Sequence, residues 1–367
     1  MSYRSLFTQS ILLASCITFW SCREQAPQEA AKADETPTFK AAVPELPELT
    51  WNVTRAYNLP LNNPAHVPAV RAQFMEDQDT VLGVILGDEA RAYPWTLMAN
   101  YHAANDILDN QPIIVNLCEA CNGGAAFLAT IPGTIIDIRP RGLKNGTWYG
   151  TDFQTGSLWY PFIGEAFEGP LKGTKLVRIR AYFSSWEDWK KEHPETTVAV
   201  STHEMRMRPH GRASMMAADS TFNPQFLKKI TDPKPNPMRA LMPGQTLVFG
   251  MIPHKGASPL ALTLNSLRRA KSPFQSTFEN SPVLIMHQNE YEVGAYKREL
   301  DGIELTLNTI SKDPLIMVDQ RGNHWNIWGK TISGKDHPRE LELVDGYIAK
   351  WYEWIENFPK TEVIDPK

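Results

Sequence analysis

Cysteine is scarce in this chain of 367 residues, which contains only four. Cys16 and Cys22 lie in an apolar N-terminal segment, so Cys118 and Cys121 are the only thiols in the rest of the chain. This low count excludes a disulfide-rich scaffold, and with no second Cys-x-x-Cys it excludes a zinc site made of four cysteines. Two soft, oxidisable sulfurs three positions apart indicate a local redox or metal-binding role.

Strong net charge and several well-known catalytic motifs are also missing. The formal net charge is -4 and charged residues make up 21% of the chain, a balance that does not indicate a nucleic-acid partner. The sequence has no Ser/His/Asp hydrolase elbow and no phosphate-binding glycine loop. Asn122 stands where a haem-attachment Cys-x-x-Cys-His motif would require histidine. Hydrolase, nucleotide-binding and c-type haem functions are therefore not expected.

A long apolar run is absent as well, because the run from Leu6 to Trp20 is too short for a comfortable membrane span. After a short positive start, it resembles a bacterial lipoprotein signal that ends at a lipidated cysteine. Cys16 matches the usual lipobox better, but cleavage there would leave the apolar residues that follow it exposed. We therefore favour Cys22, although an uncleaved anchor or a simple secretory signal remains an alternative.

These features predict an extracytoplasmic protein held to a membrane by lipid, in the periplasm or at the outer membrane or cell surface. The predicted segments are a signal peptide (1–22) and a flexible tether rich in Ala, Glu, Lys and Pro (23–45). They are followed by a first repeat with the thiols (46–200), a linker (201–245), a cysteine-free second repeat (246–345) and a C-terminal tail or helix (346–367).

The composition favours strands and turns over helices. Proline (28) outnumbers glycine (22), and the chain has 11 Trp and 11 Tyr. The β-rich runs at Thr80–Leu86 and 112–117 predict strands, with a short helix over 95–104 between them. The second run leads to Cys118, and a turn at 122–124 precedes another predicted strand, 125–131. We therefore predict a mainly β (α+β) fold with short helices, in which the cysteine pair lies at a bend between two strands.

Two stretches of the chain resemble each other at an offset of 165 to 170 residues. The ordered set of matching residues predicts two diverged β-rich repeats packed together. At the offset of 170 residues that matches Pro112–Val115 with Pro282–Ile285, Gln288 and Tyr291 stand where Cys118 and Cys121 stand, so only the first repeat carries thiols. The matching pairs are Gly83 and Gly250, Asp152 and Asp319, Trp159 and Trp325, Gly164 and Gly329, and Gly169 and Gly334.

Many short motifs between residues 60 and 335 resemble the DUF3179 family of bacterial proteins. Those that carry the resemblance are Gly87-Asp88-Glu89-Ala90-Arg91-Ala92-Tyr93-Pro94, His102, Asn105-Asp106, Cys118-x-x-Cys121, Ala125-Ala126-Phe127, Thr155-Gly156-Ser157-Leu158-Trp159, Gly164-Glu165-Ala166, Gly169-Pro170-Leu171-Lys172-Gly173, Trp186, Trp189 and His193-Pro194. The family name implies no established reaction. The resemblance implies that some members of the family carry selenocysteine in this region, and this favours redox chemistry because selenium is rarely used for structure alone.

The first interpretation of the thiol pair is redox chemistry. Cys118 and Cys121 would exchange between dithiol and disulfide with a partner protein or small molecule, and His102 is the candidate base because it belongs to the family-like pattern. Glu119 replaces the proline that the family usually has between the cysteines. A carboxylate there is expected to raise the pKa of a neighbouring thiol and to oppose its reactivity.

The second interpretation is a metal site, with zinc or copper as the candidate ions. Cys118, Cys121 and His102 would supply three ligands, and His203 or His210 would supply a fourth. A Cys-x-x-Cys turn between strands resembles half of a zinc knuckle, which is a weak signal without a second half.

A structural disulfide in a non-catalytic binding module of the cell envelope is the third interpretation. A loop this short gains little stability from cross-linking, which argues against a purely stabilising bridge.

Arg91 is expected to support the thiol site or to pair with Asp106, and these two residues are the candidates for holding a cofactor or substrate.

Overall fold

The computed structural model describes residues 59–201, 235–254, 256–289 and 291–365. Strands dominate these residues and the α-helices are few and short, so the prediction of a mainly β fold is confirmed. None of the helices in the described ranges is both long and apolar enough to cross a membrane.

The strands of the first part of the chain are β1 (Leu61–Asn62), β2 (Ala65–Pro68), β3 (Thr80–Leu86), β4 (Glu89–Pro94), β5 (Ala103–Leu108), β6 (Gln111–Cys118), β7 (Gly123–Leu128), β8 (Thr130–Ile131), β9 (Thr134–Ile135), β10 (Ile138–Lys144), β11 (Thr147–Asp152), β12 (Leu158–Trp159), β13 (Ala166–Glu168), β14 (Arg178–Ser185) and β15 (Thr197–Val200).

The strands of the second part are β16 (Leu247–Met251), β17 (Leu260–Thr263), β18 (Phe274–Phe278), β19 (Ser281–Gln288), β20 (Glu292–Lys297), β21 (Glu299–Leu300), β22 (Ile303–Glu304), β23 (Leu307–Lys312), β24 (Leu315–Asp319), β25 (His324–Asn326), β26 (Thr331–Ser333), β27 (Gly346–Lys350) and β28 (Glu362–Val363). The α-helices are α1 (Trp95–Tyr101), α2 (Trp186–Glu192), α3 (Leu264–Arg269) and α4 (Trp351–Asn357). Short 3-10 helices lie at Ala69–Arg71 and Pro237–Ala240.

A nine-stranded sheet organises the first part, in the order β1-β5-β6-β7-β14-β3-β4-β15-β2. The second part divides the corresponding strands between the four-stranded sheet β27-β16-β17-β28 and the three-stranded sheet β18-β19-β20. Each part also contains a separate four-stranded sheet, β10-β11-β12-β13 in the first and β23-β24-β25-β26 in the second.

Local sequence explains the elements that lead to the cysteine pair. The run from Thr80 to Leu86 forms β3 over the predicted residues and is buried along nearly all its length, as expected for an apolar, β-branched segment. The helix predicted over 95–104 is shorter in the structure and ends at Tyr101. His102 adopts a φ of 62°, a left-handed conformation that stops the helix, and the chain continues directly into β5.

Two tryptophan-rich helices have the same surroundings. The Trp189 ring of α2 lies over Gly83 of β3, and the Trp354 ring of α4 lies over Gly250 of β16. A Cβ added to either glycine would come within 2.1 Å or 2.2 Å of the ring above it. Each indole donates a hydrogen bond to the threonine seven residues later, at 2.9 Å for Trp189 and 2.8 Å for Trp354.

The two small four-stranded sheets share a second local arrangement. The indole N–H of Trp159 donates to the Asp152 carboxylate at 2.8 Å, and that of Trp325 donates to the Asp319 carboxylate at 2.9 Å. Both sheets also have a register shift in their first pair of strands. The order of elements in the second part therefore follows that of the first.

The described residues all belong to one compact unit. One of its buried apolar clusters contains Cys118 and Cys121 from the first part together with Trp351, Tyr352 and other residues from the second. The sequence predicted only a tail or helix after residue 345. In the structure, this segment forms β27, α4 and β28 and contributes to the core around the thiols.

Candidate thiol site

Cys118 is the last residue of β6, and β7 begins at Gly123, so the cysteine pair lies at a strand-to-strand bend as predicted. Asn122 permits this tight reversal because it adopts a φ of 54°. Gly123 must be small, since an added Cβ would lie 2.7 Å from the Phe162 ring. No helix follows the cysteines, so a helix N-terminus cannot activate either sulfur.

Both cysteines are free thiols, and they differ in accessibility. Cys118 is 5% exposed, whereas Cys121 is completely buried. The backbone N–H of Cys121 donates to Sγ of Cys118 at 3.4 Å, and Sγ of Cys121 lies 3.4 Å from the hydroxyl of Thr147. The outer sulfur therefore accepts a backbone hydrogen bond, whereas the inner one contacts a hydroxyl group.

The inner sulfur is held in its neutral form. Burial raises the pKa of the Cys121 thiol well above its usual value, and the neighbouring Cys118 and the charge of Glu353 raise it further. The Thr147 hydroxyl acts in the opposite direction but is outweighed. Cys121 is consequently a protonated thiol at neutral pH and needs a base before it can act as a nucleophile.

The second part of the chain covers the cysteine loop, which comprises residues 118–122 at the bend between β6 and β7. The backbone N–H of Lys350, at the end of β27, donates to the carbonyl oxygen of Cys121 at 2.8 Å. The hydroxyl of Tyr352, in α4, donates to the carbonyl oxygen of Ala120 at 3.0 Å. These two hydrogen bonds attach the loop to a segment more than 200 residues later in the chain.

Glu353 is a buried carboxyl group beside this attachment and is 1% exposed. The hydroxyl of Tyr347 lies 3.2 Å from each of its carboxylate oxygens, and the side-chain amide of Asn357 donates at 2.8 Å. Burial, followed by the charge of Cys118, raises the pKa of Glu353 well above its usual value despite these hydrogen bonds. The sequence does not single out Glu353, although Trp351 and Trp354 repeat the spacing of Trp186 and Trp189, a signal for a packed helix here.

His102 lies next to the cysteine loop but contacts Glu119. Its Nδ1 atom is 3.3 Å from a carboxylate oxygen of Glu119, an ion-pair distance without hydrogen-bond geometry. The imidazole also stacks on Trp148, with ring centroids 6.0 Å apart. Within the described residues, His102 makes no hydrogen bond to either sulfur, so its direct contacts are with the acid between the cysteines.

Arg91 and Asp106 contact each other at 2.8 Å, in a place separate from the thiols. The Asp106 carboxylate also accepts hydrogen bonds from Tyr93 at 2.7 Å and from His66 at 3.2 Å. Asp106 pairs with Ile113 in the sheet, five residues before Cys118 on β6. At about 3.4 Å per residue, this places the cluster roughly 17 Å from the cysteine loop. The structure therefore does not bring these two residues into the thiol site.

Several predicted residues lie outside the part of the chain that the structure describes. His203 and His210 fall between its first and second ranges, and Cys16 and Cys22 precede residue 59. Among the described residues, no group of three or more His, Cys, Asp or Glu side chains is placed to hold a metal ion. The predictions of a four-ligand metal site, a signal and a tether therefore stay predictions.

A buried polar cluster occupies the corresponding bend of the second part, where β19 ends at Gln288 and β20 begins at Glu292. The Gln288 side-chain amide donates to Glu292 at 3.0 Å and also to Glu192 of α2, and the Ser184 hydroxyl donates to Glu292. Burial and the charge of Glu192 raise the pKa of Glu292 to about 8. A helix of the first part thus covers the bend of the second part, while α4 covers the cysteine loop.

A family model with the description "Protein of unknown function (DUF3179)" matches residues 58–361 of the chain. Comparisons with curated proteins and with solved structures gave no match. The family match includes α4 and therefore the Glu353 side of the thiol site as well as the cysteines.

Proposed function

The chain belongs to the DUF3179 family of proteins of unknown function, and we propose that it is a thiol–disulfide exchange protein with Cys118 and Cys121 as its redox pair. The observation that carries this proposal is the asymmetry of two neighbouring free thiols. One sulfur is slightly accessible and accepts an N–H hydrogen bond, while the other is buried and protonated. An attacking thiol and a resolving thiol need these different environments.

The exchange has two balanced steps. The Cys118 thiolate attacks one sulfur of a partner disulfide, forming a mixed disulfide and releasing the first partner thiol. Cys121, after losing its proton, attacks Sγ of Cys118 and releases the second partner thiol. The two thiol protons end on the two released thiols, the protein is oxidised by two electrons, and the partner disulfide is reduced. The same steps in reverse would oxidise a dithiol partner.

His102 assists through Glu119 in this proposal. The Nδ1 atom of His102 lies 3.3 Å from a carboxylate oxygen of Glu119, the residue between the two cysteines. The role of His102 is therefore to position Glu119, which differs from the direct base predicted from the sequence.

We also propose that the two parts of the chain are diverged copies of one unit. The support is the repeated order of elements, the paired tryptophan helices over Gly83 and Gly250, and the two Trp–Asp hydrogen bonds. In this view the second copy has lost the thiols at its bend, and its helix α4 completes the site of the first copy.

Export and lipid anchoring at Cys22 belong to the same proposal, because an envelope location would supply disulfide-forming partners. Metabolic labelling with a fatty acid tests this part. Cys22→Ser should abolish the labelling and Cys16→Ser should retain it, whereas labelling that depends on Cys16 would overturn the assignment.

A redox titration tests the proposed function. The protein is equilibrated in buffers with varied ratios of reduced to oxidised dithiothreitol or glutathione, acid-quenched, and analysed for the Cys118–Cys121 bridge by mass spectrometry. We expect reversible two-electron oxidation with a midpoint above about −300 mV, the level typical of structural disulfides. A bridge that resists excess dithiothreitol, or thiols that never form a bridge, would overturn the proposal.

The same preparations distinguish the two alternatives predicted from the sequence. About one equivalent of zinc or copper after purification without chelator, lost in Cys118→Ser, would favour a metal-binding protein instead. A reduction-resistant bridge would favour a structural disulfide in a binding module.

A further inference from the structure

We propose that Arg178 binds a short monocarboxylate, of the size of formate or acetate, in a cavity between the two parts of the chain. This inference goes beyond the proposed function and does not depend on the chemistry of Cys118 and Cys121. It rests on a buried guanidinium that lines the cavity and has few hydrogen-bond partners of its own.

The cavity lies where β7 and β14 of the first part meet β16, β20 and β27 of the second. Its walls are mostly apolar, and the residues that line it include Ile179, Phe183, Phe249, Val293, Val344 and Ile348. Among the described residues that line it, Arg178 is the only charged one. Because a buried charge needs a partner, a single cation in an apolar cavity favours a ligand with one negative charge and a small apolar end.

The cavity is small, which limits the class of ligand. Its volume is about 30 Å³, whereas one water molecule needs roughly 10–15 Å³. The space therefore fits a ligand of about three or four non-hydrogen atoms. Formate and acetate have this size, and nucleotides, sugars and phosphate esters are too large.

Arg178 forms few hydrogen bonds for a buried arginine. Its side chain is 5% exposed, and a guanidinium carries five N–H groups. Within the ranges that the structure describes, Nη2 donates to the carbonyl oxygen of Phe162, and the buried Nε atom has no hydrogen-bond partner. The guanidinium also lies over the Phe127 ring, with Cζ 4.8 Å from the ring centroid. These contacts hold the guanidinium in place and leave N–H groups for a further acceptor.

Arg180, two residues further along β14, shows how the same fold pairs an arginine fully. Its Nε and Nη2 atoms donate to the carbonyl oxygens of Trp328 and Leu341, each at 2.9 Å, and Nη1 donates to the Glu340 carboxylate at 2.5 Å. The second part of the chain thus supplies three acceptors to Arg180. The missing acceptors at Arg178 are those that a planar carboxylate, which matches the guanidinium fork, would supply.

Asp345 is the acidic residue beside Arg178, and its charge limits which anion can bind. Its carboxylate lies 3.5 Å from Nε of Arg178 without hydrogen-bond geometry, and 3.8 Å from Nε2 of His254. Burial lowers the pKa of Arg178, and the charge of Asp345 opposes this decrease. A carboxylate at this distance repels a dianion more strongly than a monoanion, so the site favours a singly charged ligand.

The test measures the binding of sodium formate and sodium acetate to the full chain by titration calorimetry and ligand-observed NMR at constant ionic strength. We expect saturable binding to the wild-type protein. In Arg178→Gln the affinity should fall at least about tenfold, because charge-assisted hydrogen bonds to the ligand are lost. Arg269→Gln is the matched control, since this arginine is 69% exposed and should not affect binding.

Asp345→Asn provides a second measurement that remains valid if Arg178→Gln does not fold. Removing this partly exposed carboxylate takes a negative charge away from the ligand, so acetate should bind about threefold more tightly. The proposal is overturned by a lack of saturable binding to wild-type protein, by equal affinity in Arg178→Gln, or by unchanged or weaker binding in Asp345→Asn. Chloride that displaces acetate at equal concentration would also overturn it, because a site for halides does not need a planar ligand.

Discussion

The backbone N–H of Lys350 donates a 2.8 Å hydrogen bond to the carbonyl oxygen of Cys121. This bond joins β27, an edge strand of the sheet β27-β16-β17-β28, to the loop that carries both thiols. Together with the Tyr352 hydroxyl on Ala120, it makes the C-terminal helix a wall of the thiol site. The chemistry of Cys121 therefore depends on residues that are distant in sequence.

Cys118 should react with thiol reagents before Cys121, because only Cys118 has exposed surface. We expect alkylation by iodoacetamide in the Cys121→Ser variant to be at least about tenfold faster than in Cys118→Ser, since thiolate fraction and access set the rate. Peptide mapping after timed quenches measures both rates. Equal rates, or faster modification of Cys121, would contradict the assignment of the attacking sulfur.

Asp106→Asn should destabilise the protein without changing thiol exchange. Burial alone would raise the pKa of Asp106, but the hydrogen bond from His66 and the charge of Arg91 outweigh it and lower that pKa. Removing the carboxylate leaves the Arg91 guanidinium buried and uncompensated, which costs about 3–5 kcal/mol of unfolding free energy. Urea denaturation measures the loss, and the redox titration serves as the control. A changed redox midpoint in folded Asp106→Asn would return Arg91 and Asp106 to the thiol site.

Stability should fall as the pH rises toward 8 because of Glu292. The folded state holds this carboxyl neutral with a pKa of about 8, whereas the unfolded chain ionises it near its ordinary value. The stabilisation is complete below the unfolded pKa and is lost as the pH rises through the folded value.

Measurements of the thermal midpoint between pH 6.5 and 9 isolate the Glu292 effect. Burial lowers the pKa of His193 to about 4, so its opposite contribution, a loss of stability on acidification, falls below this window. Glu292→Gln should flatten the decline between pH 6.5 and about 8. An equally steep decline in that variant would show that another group is responsible.

Gly83→Ala and Gly250→Ala should destabilise the protein by similar amounts. In each, the new methyl group would enter the space of the tryptophan ring above it, at 2.1 Å and 2.2 Å, and such overpacking typically costs about 1–3 kcal/mol. Gly244→Ala is the matched control, because its new methyl group would lie 3.3 Å from the nearest atom. Urea denaturation compares the three, and a neutral Gly250→Ala would argue against equivalent packing in the two parts.

Much of the local structure near the thiols is predictable from sequence. The apolar run at Thr80–Leu86, the strand leading to Cys118 and the bend after it follow from continuous β-rich runs bounded by turn-forming residues. The end of α1 was less predictable, because the left-handed conformation of His102 depends on the strand that starts at once after it. Helix boundaries are set by such tertiary constraints as well as by propensity.

The amino-acid sequence by itself determined the mainly β fold, the position of the only thiol pair outside the N-terminal segment, and the bend on which that pair lies. Only the tertiary structure decided which groups surround the sulfurs. It places His102 on Glu119, separates Arg91 and Asp106 from the loop, and attaches the end of β27 and helix α4 to the loop through Lys350 and Tyr352. The physical reason is that strand formation follows local patterning, whereas the burial of Cys121 and its contact with Lys350 arise only when the two parts of the chain pack into one core.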